Sequence, residues 1–138
     1  MSRLTDDQSQ PRIRHEADAI ESILLAVAKG SLDLISSEPL EDEVRRNPNT
    51  ELRLETASLL LLASTTIQST SAVAQRAKQL AALGYGSFDA LHLASAEAAK
   101  ADLLMTTDDH FLKLANRNIG NPLVKVENPL SWTKDWPQ

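Results

Sequence analysis

The sequence predicts an α/β domain, a three-layer sandwich with a short central parallel sheet flanked by helices. Short strand-like segments alternate with helix-period segments along the chain. Two of the strands, "LLMT" and "LVKV", are mostly apolar, as strands covered on both faces must be. Connections this short should be right-handed crossovers. With 138 residues the chain suits a single domain, 1–138, with a real core.

Residues 11–30, "PRIRHEADAIESILLAVAKG", read as an amphipathic helix. Ile13, Ala17, Ile20, Leu24 and Val27 recur three or four apart and share one face. Pro11 suits the first turn and Gly30 the C-terminal stop. "SLDLISS" supplies a strand over 32–36. "EPLEDEVRRN" is a second helix, with Pro39 early and Asn47-Pro48 ending it. Asn49 or Thr50 caps a third helix, "NTELRLETASLLLLAST", and a strand follows around Ile67. A fourth helix, "SAVAQRAKQLAALG", closes at Gly84. A fifth spans 87–100, then a strand 103–106 and a short helix 108–117. "PLVKV" is the last strand, and "NPLSWTKDW" a terminal turn or helix in which Trp132 and Trp136, four apart, pack on the sheet.

The absence of cysteine excludes disulfides and thiolate metal sites. The longest apolar run, 59–63, is far short of the roughly 20 residues a bilayer needs, and the first ten residues lack a secretion signal's apolar core. The expectation is a cytoplasmic protein with no membrane partner. Net charge −5 argues against a general nucleic-acid coat. It leaves a metal-dependent nuclease open, because acids that hold a cation can make such a protein acidic. A Gly-rich phosphate loop, a Gly-x-Ser-x-Gly elbow and a His-Glu-x-x-His helix are all missing, which disfavours kinase, dinucleotide, hydrolase and zinc-protease chemistry.

Chemistry in such sheets sits beyond the C-terminal strand ends. Glu43, Asp89 and Asp108 are each expected there. Taken singly, Asp89 and Asp108 read first as first-turn acids favoured by the helix dipole, and Glu43 equally as part of a solvated acidic face. Taken together, three converging carboxylates would repel one another unless a cation held them. His92, three residues after Asp89 and on its face, reads as a hydrogen-bonded structural histidine. His15 and His110 show no partner at metal-ligand spacing. Arg45, Arg46, Arg53, Lys113 and Arg117 read either as a phosphate-binding rim or as solvated helix faces.

The string "GSFDALHLASAEAAKADLLMTTDD" resembles the C-terminal half of PIN-domain proteins, small metal-dependent ribonucleases that include toxins of bacterial toxin–antitoxin pairs. There an Asp-Ala-x-x-x-Ala helix leads to a strand ending in Thr-x-Asp, matched here by Asp89-Ala90 with Ala94 and by Thr106-Thr107-Asp108. "SSEPLEDE" is similar to the family's Ser followed six residues later by Glu, matching Ser37 and Glu43. The resemblance covers roughly residues 11–130.

It implies that Glu43, Asp89 and Asp108 are catalytic ligands of Mg²⁺ or Mn²⁺, with Asp109 as an accessory ligand. Thr106 would shape the turn or touch metal-bound water, and Ser37 would position a ligand or the substrate phosphate. The implied substrate is single-stranded RNA, and the implied partners are an antitoxin protein and a second copy in a homodimer.

The family's fold starts with a central apolar strand ending in Asp, whereas "MSRLTDDQSQPRIR" resembles the segment after it. Asp6 and Asp7 are not assigned that role. The expectation is a site short of one carboxylate, weaker metal binding, low stability, and flanking strands that close up, pair with a partner chain or leave a groove. The alternative function is a truncated or degenerate, non-catalytic PIN-like module that binds protein or dimerises. A third reading is an unrelated α/β domain with well-capped helices.

Overall fold

The structure is a computed structural model that describes residues 3–134, the side chains of residues 3–10, Leu52, Glu55 and Leu59 excepted. Trp136 and the side chains of Asp6 and Asp7 therefore lie outside the described residues. The elements run α1 (Arg3–Ala28), β1 (Ile35–Ser37), α2 (Glu38–Arg45), α3 (Thr50–Leu60), β2 (Thr65–Ile67) and α4 (Ser71–Ala82). Then come α5 (Ser87–Ala98), β3 (Leu103–Met105), α6 (Asp109–Asn116), β4 (Lys125–Glu127) and α7 (Pro129–Thr133). Short parallel strands flanked by helices make this the expected α/β architecture.

The strands pair as two parallel ribbons. β1 pairs with β2, Ile35 opposite Thr65, and β3 pairs with β4, Leu103 opposite Lys125. Among the described residues no ladder joins the ribbons, so β1 and β3 have not closed up. A two-stranded ribbon is marginal alone, and helix packing must stabilise it. α5 supplies that packing, lying against α4, β3 and α2.

Four helices end in the same way. After α1 the Gly30 N–H donates to the Val27 carbonyl and Ser31 to Ala26, with Gly30 at φ +83°. After α4 Gly84 plays that part at φ +117°, after α5 Lys100 at +56°, and after α6 Asn118 at +60°. Each pair of bonds closes the last turn and satisfies two orphan carbonyls. The glycine stops behave as expected, whereas Lys100 and Asn118 accept the left-handed backbone without glycine's freedom.

α1 departs from expectation in two ways. It begins at Arg3, which places Pro11 inside the helix and not in its first turn. An interior proline costs one helical hydrogen bond, about 3 kcal/mol with its steric clash. Pro11 is exposed, on a side where water can hydrate the carbonyl left without a donor. The expected apolar face is also turned partly outward: Ile13, Ala17 and Ile20 are exposed and Leu24 and Val27 only half-buried, while Glu16, Ala19 and Ile23 are buried. Those three lie roughly a quarter-turn away around the helix. Polar ties from Arg12 and Glu16 to distant segments set this rotation.

The main core lies in the second half of the chain. Val73, Ala77, Leu80, Tyr85, Ala90, Leu93, Ala94, Phe111, Val124 and Val126 form one buried cluster. Tyr85 and Phe111 meet edge to face at 5.7 Å inside it, a favoured aromatic geometry. Arg76 pins the following loop, its guanidinium on Glu97 at 2.7 Å and on the Gly120 carbonyl at 2.7 Å.

Candidate active site

β1 ends where α2 begins. Ser37 is the N-cap of α2, and its hydroxyl accepts the Leu40 N–H at 3.2 Å. This hydroxyl, expected to position a ligand, starts the helix that carries Glu43 and keeps its own O–H to donate. The other acids of α2 are tethers. Glu38 accepts the Ser69 N–H at 2.7 Å, Glu41 accepts the Ser36 hydroxyl at 3.2 Å, and Asp42 pairs with Arg46 at 3.2 Å. Glu43 alone among them reaches α5, where its Oε2 accepts the His92 Nε2–H at 2.7 Å.

Asp89 stands in the first turn of α5 but does not cap it. The N-cap is Gly86, with no side-chain cap bond. The Asp89 carboxylate folds back over Gly86, where an added Cβ would lie 3.3 Å from Oδ2. It has no hydrogen-bond partner among the described residues. Burial pushes the carboxyl upward, the Asp108 charge adds to that rise and Glu43 adds less, while His92 and His110 draw it back. The three acids thus share one region of charge.

Asp108 is the N-cap of α6, with Oδ1 accepting the Phe111 N–H at 3.0 Å. Thr106 shapes the approach, its hydroxyl accepting the Asp108 N–H at 3.1 Å. Asp109 points elsewhere. Both its oxygens face the Arg12 guanidinium, at 2.6 and 2.9 Å, in a fork that holds the Asp109 carboxyl below the ordinary carboxylate range. Its expected accessory role competes with that pair. His110 donates from Nε2 to the Gly84 carbonyl at 3.1 Å.

The donor set of Glu43, Asp89 and Asp108 is all oxygen, which fits a hard divalent cation. Asp89, half-buried and repelled by two neighbouring acids, is the group such a charge would relieve. Among the described residues no three His, Asp or Glu groups stand close enough to hold a metal ion as they are placed. The acids share a region without forming a finished coordination shell.

Of the expected cationic rim, Arg45 and Arg46 pair with Asp42. Arg53 reaches the Asn47 carbonyl at 3.5 Å. Arg12, which the sequence did not single out, pairs instead with Asp109, the residue after Asp108. Its partner lies 97 residues away, and no local pattern announces such a contact.

No helix among the described residues is long and apolar enough to cross a membrane. No curated protein and no solved structure matches the chain significantly. A family model described as PIN domain matches residues 9–117, which is more than half of the chain and includes Glu43, Asp89, Asp108 and Asp109. That span holds the Asp89 helix, the strand leading to Asp108 and the β1–β2 ribbon. The chain belongs to the PIN-domain family, a nuclease-type family whose members generally depend on divalent metal ions.

Proposed function

We propose that the chain is a Mg²⁺- or Mn²⁺-dependent ribonuclease acting on single-stranded RNA, with residues 1–138 working as one domain. Glu43, Asp89 and Asp108 would hold the metal. The observation that carries this reading is the Asp89 carboxylate: half-buried, free of any capping duty and facing two other acids. A capping acid has no reason to sit unpartnered beside like charges.

When bound, the metal ion supplies Lewis acidity for water and positive charge against a phosphodiester. The chain's own residues orient the ligands. Asp108 spends Oδ1 on the start of α6 and keeps Oδ2 available. Glu43 spends Oε2 on His92 and keeps Oε1. Thr106 and Ser37 fix the turns that present these acids. The test is cleavage of labelled single-stranded RNA with and without Mn²⁺, beside an Asp89→Asn variant. Equal cleavage by both proteins removes the acids from the mechanism.

A toxin role in the cytoplasm, with an antitoxin partner and a homodimer, belongs to the same proposal. Exposed Ile13 and Ile20 on α1, and Leu54 and Leu61 on or just after α3, supply apolar area for such partners. Sedimentation of the purified protein reads the dimer directly. The second reading, a non-catalytic protein-binding module, is favoured by the separate ribbons and by the unfinished metal shell. Calorimetry with Mn²⁺ separates the two, since micromolar binding supports the enzyme.

A further inference from the structure

We infer that His92 is a positioning residue for Glu43, an inference that rests on the metal-site reading above. Glu43 projects from a helix of only eight residues, and its side chain is 53 % exposed. A long carboxylate so placed samples several rotamers unless something holds it. His92 is 17 % exposed and holds it at 2.7 Å. This bond joins α2 to the face of α5 that carries Asp89, because residues three apart stack on one side of a helix.

The His92 ring is itself oriented. It stacks on Phe88 with centroids 6.4 Å apart and planes 27° apart. Phe88, Asp89 and His92 thus form one turn in which an aromatic ring sets the imidazole and the imidazole sets the acid from the neighbouring helix. Only Oε2 of Glu43 is engaged; Oε1 has no hydrogen-bond partner among the described residues and stays available. A group that orients a metal-ligating carboxylate without touching the ion commonly governs affinity by 10- to 100-fold.

The experiment measures Mn²⁺ affinity of the metal-free protein by calorimetry, with the melting temperature and the kcat and KM of RNA cleavage beside it. The variants are His92→Leu, His92→Gln, Glu43→Gln and Asp89→Asn. His92→Leu should weaken Mn²⁺ binding about 10-fold and lower kcat with little change in KM. His92→Gln keeps an N–H donor at the place of Nε2 and should recover most of that loss. In the Glu43→Gln background, His92→Leu should add almost nothing, since the group it positions is gone.

Weaker binding in Asp89→Asn and Glu43→Gln with normal binding in His92→Leu would overturn this inference and leave the metal site standing. So would a His92→Leu protein that melts lower but binds Mn²⁺ as before, the mark of a bond that only staples α2 to α5. Unchanged Mn²⁺ binding in Asp89→Asn, or none in the wild type, would overturn the metal site and this inference with it.

Discussion

Asp89 is held in a state that costs the metal-free protein stability. Its carboxyl is pushed above its ordinary value by burial first and then by Asp108. An acid whose folded value is raised favours folding while protonated and loses that contribution as pH rises through the raised value. At neutral pH the charge therefore opposes folding. Asp89→Asn should raise the melting temperature of the metal-free protein by a few degrees at pH 7, flatten the fall in stability above pH 4, and abolish Mn²⁺-dependent RNA cleavage. A melting curve that drops on this change contradicts the electrostatic account. Gly86 offers a quieter test. Its φ of −62° suits any residue, yet a Cβ there would press on Asp89 Oδ2 at 3.3 Å. Gly86→Ala should leave the melting temperature level or slightly higher and reduce cleavage several-fold, read from parallel melts and rates.

Helix ends and helix rotation decide how the elements present these groups. α5 closes on Lys100 at φ +56°, a left-handed conformation that costs an ordinary residue about 1 kcal/mol relative to glycine. Lys100→Gly should stabilise the fold by about 1 kcal/mol, or roughly 3 °C in melting temperature. A lower melting point would mean that the Lys100 side chain contributes more than its backbone costs. α1 shows how polar contacts can outrank an apolar stripe. Arg12 forks onto Asp109, and Glu16, itself buried, accepts from Asn128 in front of α7. Arg12→Leu should release this helix, seen as faster amide exchange along residues 12–28 with little change in α5.

The molecule as a whole is unevenly cored. Every member of the main buried cluster lies between Val73 and Val126, while β1 buries the small polar Ser36 and Ser37, β2 is largely exposed and α3 buries no described side chain. Local opening follows the density of buried apolar contacts. Native-state exchange should therefore find the slowest amides in α4 and α5 and the fastest helical ones in α3. Limited proteolysis should cut first within residues 46–64. Uniform protection across both ribbons would contradict the division. The exposed Leu54, Leu61 and Leu62 lie in this weakly cored half, where a covering partner would add most stability.

The positions of the helices and strands were legible because hydrophobic period and stop signals are local properties of a chain. Gly30 and Gly84 end their helices because left-handed backbone suits glycine, and the 103–106 and 122–126 strands were marked by short apolar runs. Asp89 and Asp108 were legible as a motif, since each follows a local turn. What stayed hidden was long-range. The rotation of α1 depends on Asp109 and Asn128, 97 and 112 residues from their partners. The pairing of Glu43 with His92 spans 49 residues, and the split of the strands into two ribbons depends on which backbones meet. By itself the sequence determined which groups carry charge and which segments coil or extend, because those follow from side-chain chemistry and backbone preference. Only the tertiary structure decided which carboxylates are tied down and which is left facing its own kind, because burial and neighbours are properties of packing.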